Sequence, residues 1–270
     1  MSATEQTPPR PGRLAALRLA FAFLTRLPVG APPAYGPASL AVAAWAFPLV
    51  GVIVGLIAAA AFTAATWAGL TLNLAALAAV AAAIWTTRAL HEDGLGDIAD
   101  GFGGGHDRDR KLAIMRDSRV GSFAVLALGV SLLARVGAIS ALDHPAYVVP
   151  ALVGAGAASR GAMVALMYWM KPARDDGLGR HAGRPSAATL VTALIIAAAA
   201  AELGLGIRAG LFGLAGAAVG ALLVAWIARR NIGGQTGDVL GAAQQAAEIG
   251  FLLAVVIADP MCLNCTDMAG

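Results

Sequence analysis

The chain has 270 residues, of which 59% are hydrophobic and only 13% are charged, and its mean hydropathy is +0.73. This composition excludes an ordinary soluble globular domain and indicates an integral membrane protein. The net charge of +3 is compatible with weak attraction to polyanions, but the distribution of the basic residues is more informative than their sum. We expect the lipid bilayer, and no nucleic acid, as the macromolecular environment.

The N-terminal region combines a polar tail with a short apolar helix. Residues 1–12 are rich in proline and polar residues and predict a disordered tail. Beyond it, Arg18 and Arg26 interrupt the apolar run and no convincing cleavage site follows, which argues against a signal peptide. We predict an amphipathic interfacial helix, with an apolar face at helical spacing that comprises Leu14, Leu17, Phe21, Leu24 and Leu27.

Seven segments have the roughly 20 mostly apolar residues that a membrane span requires, although a count of six or eight also fits. They are residues 39–62, 70–89, 121–142, 147–170, 187–206, 209–228 and 239–258. The pattern predicts an all-α, polytopic membrane helix bundle with close packing through alanine and glycine. Pro48 lies inside the first predicted span, where a kink is tolerable if neighbouring groups satisfy the freed carbonyl. Residues 13–258 form the predicted membrane-embedded catalytic domain, followed by a C-terminal tail, 259–270, whose Cys262 and Cys265 complete no zinc site.

The basic residues predict the orientation of the chain, because short cytoplasmic loops retain positive charge. With a cytoplasmic N-terminus, sixteen of the nineteen Lys and Arg residues fall at the cytoplasmic side. Only Arg208 lies in an outside connection, while Arg135 and Arg160 lie within spans. Three polar loops are therefore predicted to share the cytoplasmic face, namely residues 90–120, 171–186 and 229–238.

The stretch 91–121 holds seven of the sixteen acidic residues and five of the nineteen basic ones. Within it, Asp93, Asp97 and Asp100 stand at i, i+4 and i+7, which places all three on one face of a helix. Clustered carboxylates repel each other, and Mg²⁺ prefers oxygen ligands, often shared with substrate phosphates. We interpret the stretch as a metal–diphosphate site, while a solvated acidic face paired with the nearby basic residues remains the alternative.

Other candidates lie close to these aspartates in the sequence. His91 is interpreted as a general base, as support for another site residue, or as a plain interfacial histidine. Arg116 and Arg119 offer cations to an anionic substrate, although basic residues at this depth more often meet anionic lipid. Asp117 and Arg119 lie where the chain re-enters the bilayer, from where they could face the acidic residues.

The last predicted span carries a second group of polar residues. Asp238 lies at its mouth and Glu248 inside it, and ionisable residues at such depth are costly enough to indicate function. Arg135 and Arg160 are candidate buried countercharges, or they only pair helices together. Two amides fall within one helical turn of Glu248, namely Gln244 and Gln245.

Several motifs together resemble the cobalamin synthases, also called adenosylcobinamide-GDP ribazoletransferases. They occur in the expected order along nearly the whole chain: FLTRLP at 23–28, FPLVG at 47–51, HEDGLGDIADG at 91–101, RDRKLAIMRDSRVG at 108–121, SRG at 159–161 and GGQTGDVLGAAQQAAE at 233–248. The chain departs from that family at Glu92, where leucine is usual, and in the tail after about residue 258.

The resemblance implies a multi-pass enzyme of the cytoplasmic (inner) membrane, with its active site on the cytoplasmic face and Mg²⁺ as cofactor. A hydroxyl of α-ribazole or its 5′-phosphate would attack the diphosphate of adenosylcobinamide-GDP and expel GMP, giving adenosylcobalamin or its 5′-phosphate. By the resemblance, the metal ligands are Asp93, Asp97 and Asp100, and further catalytic candidates are His91 and Asp117. Substrate-binding candidates are Arg26, Arg116, Ser118, Arg119, Gln235, Asp238 and Glu248.

Two other functions remain as alternatives. The D-x-x-D-G pattern at 97–101 is similar to that of the CDP-alcohol phosphotransferases, but their other spaced aspartates do not follow. A transporter would place charged groups near mid-membrane in broken helices, whereas most carboxylates here gather at one predicted rim. The number of metal ions, the general base, the choice between nucleoside and phosphate, and assembly into a homo-oligomer stay open.

Overall fold

A computed structural model describes residues 11–30, 39–174 and 182–258. Its helices are, in chain order, α1 (Arg13–Leu24), α2 (Ser39–Ala43) with a 3-10 turn (Ala44–Ala46), α3 (Phe47–Trp67), α4 (Leu72–Thr87), α5 (Leu90–Gly104), α6 (Arg108–Ile114), α7 (Ser122–Ala141), α8 (Pro145–Trp169), α9 (Ala187–Ile232) and α10 (Gly237–Ala258). Within these ranges the only strand-like pairing is one isolated bridge. The prediction of an all-α membrane bundle is confirmed, whereas the C-terminal tail and most of the N-terminal tail lie outside the described residues.

Five of the described helices are long and apolar enough to cross a membrane, or six spans result if the bent pair α4 and α5 counts as one. Helix α9 has 46 residues, and if straight it would measure about 69 Å, more than twice the thickness of a bilayer core. It turns at Gly206, whose φ of 74° favours glycine. A Cβ on Gly210 would lie only 3.1 Å from Glu202 Cα, so the chain folds back. The halves of α9 before and after Gly206 match the predicted segments 187–206 and 209–228. The total is seven spans when these halves are counted as two and the bent pair α4 and α5 is counted as one.

The long helices approach one another through small residues, as predicted. Gly51 of α3 lies against the backbone of Gly156 of α8, so closely that neither position has room for a side chain. Gly216 of α9 and Gly250 of α10 form a second contact of the same kind. Such pairs let helix backbones pack closely where lipid removes the usual hydrophobic drive for association.

The structure adds detail to two predictions for the N-terminal half. Pro48 lies in the first turn of α3, directly after the 3-10 turn, so it starts this helix within the first span. The N-terminal helix is present as α1, and it packs Leu24 and the small residues Ala16 and Ala20 against the bundle. Leu14 is 65% exposed, at a position where an interfacial helix meets lipid.

Helix α5 does not continue α4 but is bent from it by 91°. Two residues in the left-handed region make the turn, Arg88 with φ 58° and Ala89 with φ 55°. Residues other than glycine adopt this conformation only where surrounding structure enforces it. Because α4 packs along α3, the bend carries α5 across one end of the bundle.

The three predicted polar loops meet at this same end. Arg108 donates from Nε to the Ile232 carbonyl oxygen (3.2 Å) and from Nη2 to the Ala173 carbonyl oxygen. Lys111 Nζ donates to Asn231 Oδ1 at 2.7 Å. The backbone nitrogen of Gln235 donates to the Lys171 carbonyl oxygen at 2.9 Å, beside the isolated bridge between Pro172 and Gln235. The prediction that these loops share one face is confirmed.

Candidate active site

Helix α5 presents the three predicted aspartates on one face, at the end of the bundle where the loops meet. Asp93 is exposed, and Asp97 and Asp100 are half-buried, whereas His91, Gly94 and Ile98 point into the protein. This pattern follows from the helical period, because positions three or four residues apart lie on the same face of a helix. The predicted shared face is therefore confirmed.

The start of α10 closes on α5 at a glycine. A Cβ on Gly94 would lie 2.9 Å from both the Cα and the backbone oxygen of Asp238, so only glycine permits this approach. Asp238 accepts hydrogen bonds from Arg174 Nη2 at 3.0 Å and from Thr236 Oγ1 at 3.1 Å. The contact brings the aspartate of the GGQTGD motif to those of α5, and we call Asp93, Asp97, Asp100 and Asp238 the carboxylate cluster.

The carboxylate cluster holds more negative charge than its surroundings compensate. Burial, followed by the charges of Asp238, Asp93 and Asp100, raises the pKa of Asp97 to about 7, and Arg174 opposes the shift only in part. Asp97 lies beside Asp100, which caps the start of α7, and beside Asp238 at the start of α10, so this carboxylate lies at the ends of the spanning helices. No group of three or more His, Cys, Asp or Glu side chains in the described part of the chain already has the arrangement of a metal site.

Asp100 differs from the other members of the cluster because it caps a neighbouring helix. Its Oδ2 accepts a hydrogen bond from the Gly121 amide (2.6 Å), and its Oδ1 accepts one from the Ala124 amide (2.9 Å), at the start of α7. These amides belong to the first turn of a helix, which has no partners within the helix itself. Asp100 thus joins α5 to α7, and its predicted role as a metal ligand stays a prediction.

The loop between α6 and α7 holds a separate ion pair. Asp117 accepts from Arg119 Nη2 at 2.5 Å and from Nε at 3.0 Å, and these bonds lower the pKa of Asp117 to about 2. Arg119, with Arg116 and Ser118, is exposed. The structure therefore pairs Asp117 with Arg119 within this loop.

Two further predicted substrate-binding residues are engaged elsewhere. The Arg26 guanidinium lies 3.9 Å from the centre of the Trp85 ring, in a cation–π contact. Gln235 is buried, and its backbone pairs with Pro172 and Lys171 in the link between two loops. Gln235 thus helps to hold two loops together, whereas Arg26 packs against α4, and the predicted contact of both residues with substrate stays a prediction.

A network of buried charges lies beneath the carboxylate cluster. Arg135 Nη1 contacts Glu92 Oε1 at 3.0 Å and Glu248 Oε1 at 3.8 Å, and Arg160 Nη1 contacts Glu248 Oε2 at 3.3 Å. We call these four residues the buried ion network. Neutral side chains extend it through Ser131, Ser159, Gln244 and Gln245.

The buried ion network confirms that Arg135 and Arg160 are countercharges and shows why Glu248 can lie inside an apolar helix. The structure bonds Glu248 to other helices, so its predicted role in substrate binding gains no support from its position. Glu92 was not predicted as a member, because neither period nor motif distinguishes it. The one feature of the sequence that distinguished Glu92 was its acidic side chain at a position where the resembling family usually carries leucine.

His91 lies between the carboxylate cluster and the buried ion network. Its side chain is 1% exposed, and its Nε2 has no hydrogen-bond partner among the described residues. It lines a cavity together with Asp93 and Asp238. A buried imidazole nitrogen without a partner is costly in a folded protein, and the place of His91 in the cavity lining leaves this nitrogen available to a ligand.

Comparison with known proteins agrees with the arrangement of motifs. Residues 16–256 match the model of the CobS family, described as cobalamin-5-phosphate synthase. No solved structure matches the chain.

Curated relatives cover almost the same region. The adenosylcobinamide-GDP ribazoletransferase of Bradyrhizobium diazoefficiens is 45% identical over 240 residues, 89% of this chain and 92% of the relative. The proteins of that name from Mesorhizobium japonicum and Azorhizobium caulinodans are 46% and 42% identical, over 89% and 90% of this chain and 92% and 96% of their own lengths. The chain therefore belongs to the cobalamin-5-phosphate synthase family.

Proposed function

We propose that the chain catalyses a late step of cobalamin biosynthesis. The adenosylcobinamide-phosphate group of adenosylcobinamide-GDP passes to α-ribazole or α-ribazole 5′-phosphate, and GMP is released. The family match and the names of the relatives support this reaction over a lipid phosphotransferase or a transporter. One structural observation carries it, the contact of Gly94 with Asp238, because that contact joins two distant motifs into one carboxylate cluster.

The reaction is a displacement at phosphorus. A ribose hydroxyl oxygen of α-ribazole bonds to the phosphorus that carries the cobinamide group, and the bond from that phosphorus to the bridging oxygen breaks. GMP leaves with the electron pair, and the hydroxyl proton passes to a base. Such reactions require mainly positioning and neutralisation of charge.

The donor groups of the cluster have the chemistry that a divalent cation prefers, although the described side chains are not arranged as a closed metal site. Asp93, Asp97 and Asp238 offer carboxylate oxygens, which Mg²⁺ prefers. Burial and then the neighbouring carboxylates raise the pKa of Asp97, and a bound cation would compensate the second of these effects. We propose that these three residues hold Mg²⁺, with Asp100 primarily the cap of α7. When bound, Mg²⁺ would supply charge neutralisation to the substrate diphosphate.

Of the two predicted bases, His91 is better placed. It lines a cavity with two members of the cluster and has an unpartnered Nε2, whereas Asp117 is bonded to Arg119 in an exposed loop. We therefore assign the hydroxyl proton to His91.

We propose further that the chain is a multi-pass protein of the inner membrane, with the carboxylate cluster on the cytoplasmic face. The excess of basic residues at the end of the bundle where the three loops meet supports this orientation.

The test is GMP release by the detergent-purified protein, supplied with adenosylcobinamide-GDP, α-ribazole and Mg²⁺. We expect GMP to form with corrinoid product in equal amounts and a chelator to stop the reaction. Asp97→Asn should lower turnover by about 100-fold or more, since a ligand to the charge-neutralising ion is lost.

Asp109→Asn is the matched control, because it removes the same charge from a side chain on the same face that is 90% exposed. It should retain normal turnover. Absence of GMP from the wild-type protein would overturn the proposed function. Turnover that persists in chelator, or equally in both variants, would overturn the metal site alone.

A further inference from the structure

A cavity of about 200 Å³ adjoins the carboxylate cluster, and the reaction at phosphorus does not by itself explain it. Its walls come from α1, α2, α3, α5, α8 and α10. Most of its lining side chains are apolar, with two aromatic rings and two thioethers among them, and the largest are Phe23, Leu40, Phe47, Met163, Met167 and Leu240.

The polar lining residues all belong to α5 and the first residues of α10. They are His91, Asp93 and Asp238, next to the glycine contact between the two helices. The walls supplied by α1, α2, α3 and α8 carry no charged side chain in this lining. The cavity is thus polar where it meets the carboxylate cluster and apolar elsewhere.

We infer that this cavity binds the base of the acceptor nucleoside, dimethylbenzimidazole, with the ribose directed toward His91, Asp93 and Asp238. The inference rests on the proposed function and specifies where the second substrate binds. In this position the ribose hydroxyl meets the residue proposed to take its proton and two of the residues proposed to hold Mg²⁺. The apolar base fills the remaining space.

Chemistry distinguishes this occupant from the other parts of the substrates. Once attached to ribose, dimethylbenzimidazole has no hydrogen-bond donor, and its two methyl groups suit the flexible thioethers of Met163 and Met167. Guanine carries several donors and acceptors that this lining would leave unpaired, at a cost for each. Pockets for whole drug-sized ligands measure roughly 300–1,000 Å³, so a corrin ring is too large, whereas one bicyclic base is of suitable size.

Two substitutions at one position test the inference by separating the two substrates. Met163→Trp fills the cavity and should raise the KM for α-ribazole about tenfold or more, while the KM for adenosylcobinamide-GDP stays within about twofold. Met163→Ala enlarges it and should shift the preference toward an acceptor nucleoside with a tricyclic base. Calorimetric titration of α-ribazole into the detergent-solubilised protein compares the affinities of the wild type and the Met163 variants for this substrate without turnover.

Met170→Ala is the control, because Met170 is also buried but does not line this cavity. It should leave the KM for α-ribazole unchanged. If Met163→Trp does not fold, the preference of Met163→Ala and its calorimetric affinity decide. The inference is overturned if the wild-type enzyme releases GMP and the Met163 variants change the KM for adenosylcobinamide-GDP, or change neither KM. Either outcome leaves the proposed function intact. A wild-type protein that releases no GMP overturns the function first.

Discussion

Gly94→Ala tests whether the fit between α5 and α10 controls turnover. The new Cβ would lie 2.9 Å from two backbone atoms of Asp238, whereas carbon atoms in contact prefer roughly 3.5–4.0 Å. Because backbone cannot rotate away, the start of α10 must retreat by roughly 0.6–1 Å. A displacement of this size at a catalytic site costs about 100-fold in rate, so we expect kcat to fall about 10- to 100-fold.

The same substitution should have a smaller effect on folding. Overpacking costs about 1–3 kcal/mol, and replacing glycine by alanine inside a helix returns about 0.5–1 kcal/mol. The assay is GMP release together with the thermal unfolding midpoint in detergent. Expression and midpoint should stay close to those of the wild-type protein while kcat falls.

Gly96→Ala is the matched control on the same helix. Its Cβ would lie 3.4 Å from Ala124 Cβ and 3.7 Å from a Leu128 methyl, which is ordinary van der Waals contact. This variant should keep normal turnover. If Gly94→Ala also turns over within about twofold of wild type, the close approach of the two helices does not position the carboxylates, and our account of the site is wrong.

Three further predictions concern other contacts. Arg135→Met should lower stability by about 3–5 kcal/mol, because it leaves Glu92 buried without its partner; Glu92→Leu in the same chain should restore most of the unfolding midpoint. Asp117→Asn should not change the dependence of turnover on pH above about pH 4, since the pKa of Asp117 is about 2 and its carboxylate is ionised throughout that range; a changed acidic limb would contradict this. Arg108→Ala, unlike Arg110→Ala, should increase hydrogen exchange several-fold in the last of the three loops, because two carbonyl contacts are lost; equal exchange would contradict it.

The fold class and the positions of most helices could be predicted because they depend on local composition. Lipid requires long apolar helices, so hydropathy alone located α7, α8 and α10 to within a few residues. The turn at Gly206 separates the two segments predicted within α9. The bend at Arg88 and Ala89 could not be predicted, because both residues adopt a backbone conformation that their side chains disfavour and only the surrounding packing maintains.

The carboxylate face of α5 could likewise be predicted, since a spacing of four and three residues specifies one side of a helix whatever packs around it. The partners of each carboxylate could not. Asp100 caps α7, Asp117 bonds Arg119, and Glu92 pairs with Arg135 across 43 positions of sequence. Period and motif describe one segment at a time, whereas the bonds of Asp100 and Glu92 depend on which helices pack together. The bond between Asp117 and Arg119 depends on the conformation of their loop.

The sequence alone thus determined a membrane bundle with an acidic, basic-flanked face, because hydropathy and helical period are properties of neighbouring residues. Only the tertiary structure decided that Gly94 admits Asp238, that Glu248 serves the buried ion network, and that His91 lines an apolar cavity beside the carboxylate cluster. Each of these contacts depends on the distance between the backbones of separate helices. Small residues at the helix contacts and the bend between α4 and α5 together determine that distance.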